Sequence, residues 1–226
     1  MAIKAIVFDA YGTLFDVYSI GALAEQLFPG KGEALAARWR DRQIDYTRLR
    51  TLSDRYKPFW DVTRDALTFA CKALGLDLQP QQEAALMAQY AVLTPFPENR
   101  GVLQALQQHG LKLAILSNGN PPMLDSVVDA AGFRGFFDHL LSVDAVRKFK
   151  TAPEAYALAS AAFGIPVDEM IFVSSNCWDA CGAAWYGFDT FWVNRAGAPL
   201  EELDIVPNAQ GRTLDDLLEY AVTKAH

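Results

Sequence analysis

The feature that most constrains this chain is an alternation that begins near residue 98. From there on, short apolar runs rich in β-branched and aromatic residues take turns with segments of about 10 to 15 residues that carry helical spacing. The spacing predicts helix over 98–109, strand over 111–116, helix over 122–131 and strand over 139–143. It then predicts helix over 153–163, strand over 170–173, helix over 179–186, strand over 190–193 and a closing helix over 214–222. One more such run, Ile3-Lys-Ala-Ile-Val-Phe8, stands far upstream and ends at Asp9-Ala-Tyr-Gly-Thr13, the pattern of a buried strand followed by a loop. Strands that alternate with helices in this way imply βαβ units and a parallel sheet with helices on both faces. From Tyr18 to about Tyr90 the character differs: Ala-, Leu-, Arg- and Gln-rich segments read as helices over 32–52, 58–74 and 80–93, with no strand between them. Pro58 and Pro80 suit first-turn helix positions, and Thr94-Pro-Phe-Pro97 reads as a linker. The expected fold class is therefore α/β: a doubly wound, Rossmann-like core of residues 1–15 and 98–226, with a helical cap subdomain inserted over 16–97. No internal repeat is visible at a fixed period.

Composition narrows the function classes. At 226 residues, with 51% hydrophobic and 21% charged residues and only 15 Gly and 11 Pro, the chain can bury a full core and is not a disordered or low-complexity scaffold. The longest run free of Lys, Arg, Asp and Glu is the 14 residues Ala84–Pro97, too short to span a bilayer. The start of the chain lacks the basic region, longer apolar stretch and small-residue cleavage site of a secretory signal, so a cytoplasmic location is expected. Cys71, Cys177 and Cys181 are an odd, sparse set without CxxC spacing, which fits reduced thiols. A net charge of -7 argues against nucleic-acid binding, because phosphate backbones demand a basic stripe. A small anionic substrate held by one or two local cations remains compatible with it.

Ligands of open parallel sheets bind outside the carboxyl ends of the strands, near the point where the strand order reverses. Those ends carry Asp9, Ser117-Asn-Gly-Asn120, Lys148-Phe-Lys150 and Ser174-Ser-Asn-Cys-Trp-Asp179. Taken singly, each has a plainer reading. Asp9 and Ser117-Asn-Gly could be turn chemistry, Lys150 a solvated lysine, and Asp179 a first-turn helix residue favoured by the dipole. Together, a carboxylate, a hydroxyl with an amide, a lysine and a second carboxylate at successive strand ends are the makings of a site built on a carboxylate nucleophile. No histidine falls in these segments, since His109, His139 and His226 are the full set, which argues against a Ser-His-Asp hydrolase or a histidine metal site. Cys177 and Cys181, four apart on an expected helix, read as buried small side chains rather than a metal or redox pair.

The run Asp9-Ala-Tyr-Gly-Thr13, with Ser117, Lys150 and Asp179 following in order, resembles the signature of the haloacid dehalogenase superfamily. Phe8–Asp16, Leu111–Gly119, Phe137–Asp144 and Phe172–Ala180 look more closely like the type II L-2-haloacid dehalogenases, and Trp39-Arg40 and Phe59 extend the resemblance into the cap segment. Two features depart from the phosphatase branch. Tyr11 stands where those enzymes place a second aspartate as acid for the leaving oxygen, and a halide needs no proton. Ser174-Ser175-Asn176 stands where they hold Mg²⁺ with an acidic pair, so no metal and no cofactor is expected. A Mg²⁺-dependent phosphatase of the same superfamily is the alternative, and a non-catalytic binder on the same scaffold a third reading.

The resemblance implies hydrolytic dehalogenation of small (S)-2-haloalkanoic acids to (R)-2-hydroxy acids, through an ester on Asp9. It implies that Thr13 orients Asp9, that Ser117 with the amides of Tyr11 and Asn118 holds the substrate carboxylate, and that Lys150 steadies Asp9 and substrate. Arg40, singled out by the motif among five arginines between Arg38 and Arg50, would meet the departing halide with Asn118 and the edge of Trp178. Asp179, with Ser174 and Asn176, would position or deprotonate the hydrolytic water, and Tyr156 would support Lys150 or the substrate. Ala10, Tyr11, Ile44, Phe59 and Trp178 would wall an apolar pocket. Because Thr151 replaces the proline that usually follows the family lysine, Lys148 is a rival to Lys150; the spacing to Tyr156 favours Lys150. A homodimer is the family expectation, and Leu49, Leu52, Phe69 and Leu74 could supply either an interface or packing within the cap.

Overall fold

A computed structural model describes residues 2–225. Its centre is a sheet of six parallel strands in the order β3-β2-β1-β4-β5-β6. The strands are β1 (Ala5–Phe8), β2 (Lys112–Ser117), β3 (His139–Ser142), β4 (Met170–Ser174), β5 (Asp189–Val193) and β6 (Ala209–Gly211). β1 lies in the middle, paired with β2 through Phe8 opposite Ile115 and with β4 through Phe8 opposite Val173. All four of its residues are buried, as a strand covered on both faces requires. The chain adds β2 and β3 on one side of β1 and β4 to β6 on the other. The order therefore reverses between β1 and β4.

Among the described residues there are nine α-helices. α1 (Gly21–Leu27), α2 (Gly32–Leu52), α3 (Phe59–Ala73) and α4 (Pro80–Tyr90) all fall between β1 and α5 (Asn99–Gln108) and contribute no strand to the sheet. The chain leaves for these helices and returns at one place: Asp16 N donates to Thr94 O, Phe96 N donates to Leu14 O, and Phe15 bridges Pro95. The remaining helices are α6 (Pro121–Ala130), α7 (Pro153–Phe163), α8 (Cys177–Tyr186) and α9 (Leu214–Lys224). Most expected elements are present within a residue or two at their ends, the usual fraying of helix and strand limits.

Three points differ from expectation. Pro58 is the residue before α3, extended at ψ 142°, and not in its first turn, whereas Pro80 does open α4. α1 and β6 were not expected. β6 is Ala-Gln-Gly at the sheet edge, only part-buried, and so has no apolar run to announce it. α8 starts two residues earlier than its spacing indicates, which puts Trp178 and Asp179 together in its first turn.

Candidate active site

The loops at the carboxyl ends of β1, β2 and β4 meet at the reversal point, and each positions its polar groups by a local device. After β1, Asp9 keeps the strand register, its N–H donating to Val173 O at 2.8 Å. Gly12 then adopts φ +97°, a left-handed conformation that a side chain resists, and this turns the chain so that Thr13 comes back beside the Asp9 carboxylate. After β2, the Ser117 hydroxyl accepts from Gly119 N at 3.0 Å, closing the turn. After β4, Ser174 accepts from Asn176 N at 3.1 Å, and α8 follows at once.

These devices surround one carboxylate. Asp9 Oδ1 accepts from Lys150 Nζ at 3.0 Å. Asp9 Oδ2 accepts from Thr13 Oγ1 and Asn176 Nδ2, each at 3.0 Å, with the Ser174 hydroxyl at 3.5 Å. Thr13 is itself fixed, because its hydroxyl accepts from Ser175 N at 2.8 Å. Lys150 Nζ also reaches Asp179 Oδ2 at 3.0 Å, so the ammonium sits between two carboxylates. The other Asp179 oxygen accepts from Tyr156 OH at 2.7 Å. The Asp179 side chain has no exposed surface while that of Asp9 keeps 9%, so of the two it is Asp9 that faces the recess.

Protonation follows from this burial. Burial by itself lowers the affinity of Lys150 for its proton, but the carboxylates of Asp179 and Asp9 outweigh it and hold the ammonium above the ordinary lysine range. Burial raises the Asp179 carboxyl above its ordinary value, opposed by Lys150 and reinforced by Asp9. Burial, then the charge of Asp179, keeps the Tyr156 hydroxyl protonated far into the alkaline range, so it serves as a donor.

Asp9 faces a small recess with a cavity volume of about 20 Å³, partly open to solvent. The sheet side supplies Asp9, Tyr11, Ser117, Asn118, Asn176 and Trp178; α2 and α3 supply Arg40, Ile44, Thr47 and Phe59. Arg40 Nη2 donates to Tyr11 O at 3.0 Å and to Asn176 Oδ1 at 3.2 Å, bringing a cation from α2 to the rim. Asn118 Oδ1 accepts from Lys150 N at 3.0 Å and so ties the β2 loop to the lysine.

Most expected residues are thus gathered, with corrections. Tyr156 bonds neither Lys150 nor the recess; it is fully buried and holds Asp179. Ala10 is not on the recess wall: it lies in the core, its carbonyl accepting from Leu14 N at 2.9 Å to close the loop after β1. Lys148 points away, paired with Asp54 at 2.8 Å on an exposed surface, so Lys150 is the lysine at Asp9. Cys177 and Cys181 are buried 4.0 Å apart against Trp192 and Ala180, and no cluster of three metal-ligating side chains occurs among the described residues. Thr47 was missed. It lies seven residues after Arg40 and three after Ile44, so helical spacing carried from Arg40 along α2 would have found it.

Three comparisons place this geometry. The chain is 47% identical over 223 residues, 99% of its length and 96% of the relative's, to the (S)-2-haloacid dehalogenase of Pseudomonas sp. strain YL. It is similar to the crystal structure of an L-2-haloacid dehalogenase at 62% identity and a TM-score of 0.96, covering 98% of this chain and 99% of that one. It is similar also to the L-2-haloacid dehalogenase from Xanthobacter autotrophicus with chloropropionic acid covalently bound, at 39% identity and a TM-score of 0.90, covering 96% and 97%. The haloacid dehalogenase-like hydrolase model matches residues 3–187, and the chain belongs to that family of hydrolases.

Proposed function

We propose that the protein is an (S)-2-haloacid dehalogenase that converts small (S)-2-haloalkanoic acids to (R)-2-hydroxy acids. The observation that carries this reading is that Asp9 alone among the buried carboxylates opens to the recess, with Tyr11 in place of an acid two residues on. The relatives named for this reaction, one of them with chloropropionic acid covalently bound, support it.

Asp9 attacks the carbon that bears the halogen from the side opposite the halide. A carbon–oxygen bond forms, the carbon–halogen bond breaks, and the halide leaves with the electron pair, inverting the centre. Water then adds to the ester carbonyl of Asp9, releasing hydroxy acid and one proton without touching that centre, so a single inversion survives. Substrate and nucleophile are both anions, and donors must be in place before they meet. Lys150, Thr13 and Asn176 hold the nucleophile in position, Ser117 with the amides of Tyr11 and Asn118 receives the substrate carboxylate, and Arg40 receives the halide with Asn118 and the edge of Trp178. Asp179, whose raised proton affinity makes it a better acceptor, takes the water's proton with Ser174 and Asn176 aligning the water, while Tyr156 holds it in place. Tyr11, Ile44, Thr47, Phe59 and Trp178 enclose the alkyl part.

Metal independence belongs to the same reading. It is supported by Ser174, Ser175 and Asn176, which bring no carboxylate to Asp9, and by Asp179, both of whose oxygens are taken up by Lys150 and Tyr156. A core of residues 1–15 and 98–226 with a cap of 16–97 is the matching division of the chain. A cytoplasmic homodimer completes the reading, supported by Leu49 and Leu52, which stand 57% and 85% exposed on α2. The test is halide release from the separate enantiomers of 2-chloropropionate in excess EDTA. Chloride from the S enantiomer alone is expected; no chloride from either, with phosphate released from an aryl phosphate once Mg²⁺ is added, overturns the reading.

A further inference from the structure

A polar cluster sits inside the otherwise apolar packing of α2, α3 and α4, and Gln43 is at its centre. The side chain is completely buried and has four partners' worth of chemistry to satisfy. Its Oε1 accepts from Arg40 Nη1 at 2.8 Å and from Tyr90 OH at 3.1 Å, and its Nε2 donates to Thr63 Oγ1 at 2.7 Å. The orientation of this amide is fixed by the neighbours. The single Thr63 hydroxyl proton goes to Phe59 O at 2.7 Å, so Thr63 can only accept from Gln43, which turns the amide oxygen toward Arg40 and Tyr90. Thr63 is anchored in turn by Trp39 Nε1, which donates to Thr63 O at 2.7 Å. Tyr90 is anchored by its rings, stacked on Tyr11 at 5.7 Å and tilted against Trp39 at 5.2 Å.

The consequence falls on Arg40. Its guanidinium is gripped on both arms: Nη2 by Tyr11 O and Asn176 Oδ1 on the sheet side, and Nη1 by Gln43 on the helix side. The first grip exists only while α2 lies against the sheet. The second is made within α2, between residues three apart, and is braced by Thr63 of α3 and Tyr90 of α4. A planar cation with one arm fixed loses fewer rotamers when it takes an anion, so its position is set in advance.

We propose that Gln43 is a positioning residue that pre-orients Arg40 to receive the departing halide, and that it acts on carbon–halogen cleavage rather than on ester hydrolysis. The proposal rests on the dehalogenase reading. It also fixes where sequence and function meet: Gln43 is three residues beyond Arg40 on α2, the spacing at which one helical side chain can brace another.

The test measures two quantities for wild type, Gln43→Leu, Arg40→Ala and the double variant: bromide affinity by quenching of tryptophan fluorescence, and turnover of (S)-2-chloropropionate. Gln43→Leu is expected to weaken bromide binding and to lower kcat/KM about tenfold each, the scale of one lost charge-assisted hydrogen bond. In the Arg40→Ala background the same substitution is expected to change neither by more than about twofold, because its effect runs through Arg40. A merely structural role would lower the melting temperature and leave bromide affinity where it was. Unchanged bromide affinity in Gln43→Leu, or an equal loss with and without Arg40, overturns the proposal. Absence of chloride release by wild type, with bromide still bound and weakened in Gln43→Leu, would instead overturn the dehalogenase reading and leave the anion-positioning role standing.

Discussion

The sheet side of the recess and the side lined by α2 and α3, the proposed cap, are built on opposite terms. The sheet side is charged, rigid and mutually tied: Asp9, Lys150 and Asp179 form a buried row in which every charged atom has a partner, and the loops that carry them are pinned to the central strands. The cap side brings one cation, Arg40, and a set of apolar or weakly polar walls, Ile44, Thr47 and Phe59. Beyond the two bonds of Arg40 to Tyr11 O and Asn176 Oδ1 and the Lys148–Asp54 pair, cap and sheet side are joined near the recess by few bonds. Phe149 N donates to Thr51 Oγ1 at 3.0 Å, Tyr56 OH donates to Asp144 at 2.5 Å, and Trp60 N donates to Asn120 Oδ1 at 3.0 Å. On the proposed reading the difference assigns labour: the sheet side would hold the reacting groups, and the cap would surround the substrate and meet the halide.

If that division is right, damage to the sheet side must be catastrophic. Asp9→Asn is expected to lower halide release by about a thousandfold or more while the protein remains folded, since the amide keeps the shape and loses the nucleophile. The two lysines sharpen the contrast. Lys150→Met leaves two buried carboxylates facing each other and is expected to cost about 3–5 kcal/mol of stability along with activity, the penalty of breaking a buried pair. Lys148→Met removes only an exposed pair with Asp54 and is expected to leave turnover within about twofold. Denaturant melts and halide assays on the two variants check both statements; equal losses would erase the distinction between them.

A smaller effect tests how tightly the row is packed from behind. Gly182 lies one turn beyond Asp179 on α8, where an added Cβ would stand 2.6 Å from Tyr156 OH and 2.6 Å from Thr151 Cγ2. Gly182→Ala is expected to cost about 1–3 kcal/mol by overpacking and to slow turnover several-fold by moving Tyr156 off Asp179. It should cost little further turnover in a Tyr156→Phe background. The smallest expected effect concerns pH. Because the folded Lys150 holds its proton above the ordinary value of 10.5, its contribution to stability is complete below that value and is lost as pH rises through the folded value. The difference in melting temperature between wild type and Lys150→Met should therefore not narrow from about pH 6 to about pH 10. A gap that closes within that range would mean that the carboxylates do not hold the ammonium.

The same contrast governs what could be read from sequence. The sheet-side groups sit at strand ends, and strand ends are marked by where apolar runs stop, so Asp9, Ser117, Lys150 and Asp179 were visible as a set. The cap-side groups sit on long helices whose polar faces look alike. Only a motif match selected Arg40 from its neighbours, and Thr47 and Gln43 carried no signal of their own. Tyr156, expected at Lys150 or the substrate, meets Asp179 instead, because which buried group a hydroxyl reaches depends on packing across α7 and α8. β6 escaped for the simplest reason: three small, part-buried residues at a sheet edge have no hydrophobic pattern to follow.

The central claim, that Asp9 is the nucleophile and water attacks its ester carbonyl, is tested most directly by many turnovers of (S)-2-chloropropionate in ¹⁸O-labelled water, followed by mass analysis of the peptide that contains Asp9. Heavy oxygen accumulating in that carboxylate, with none in the peptide that contains Asp179, is the predicted result. An unlabelled Asp9 beside labelled product would show that water attacks the substrate carbon directly, and would contradict the account.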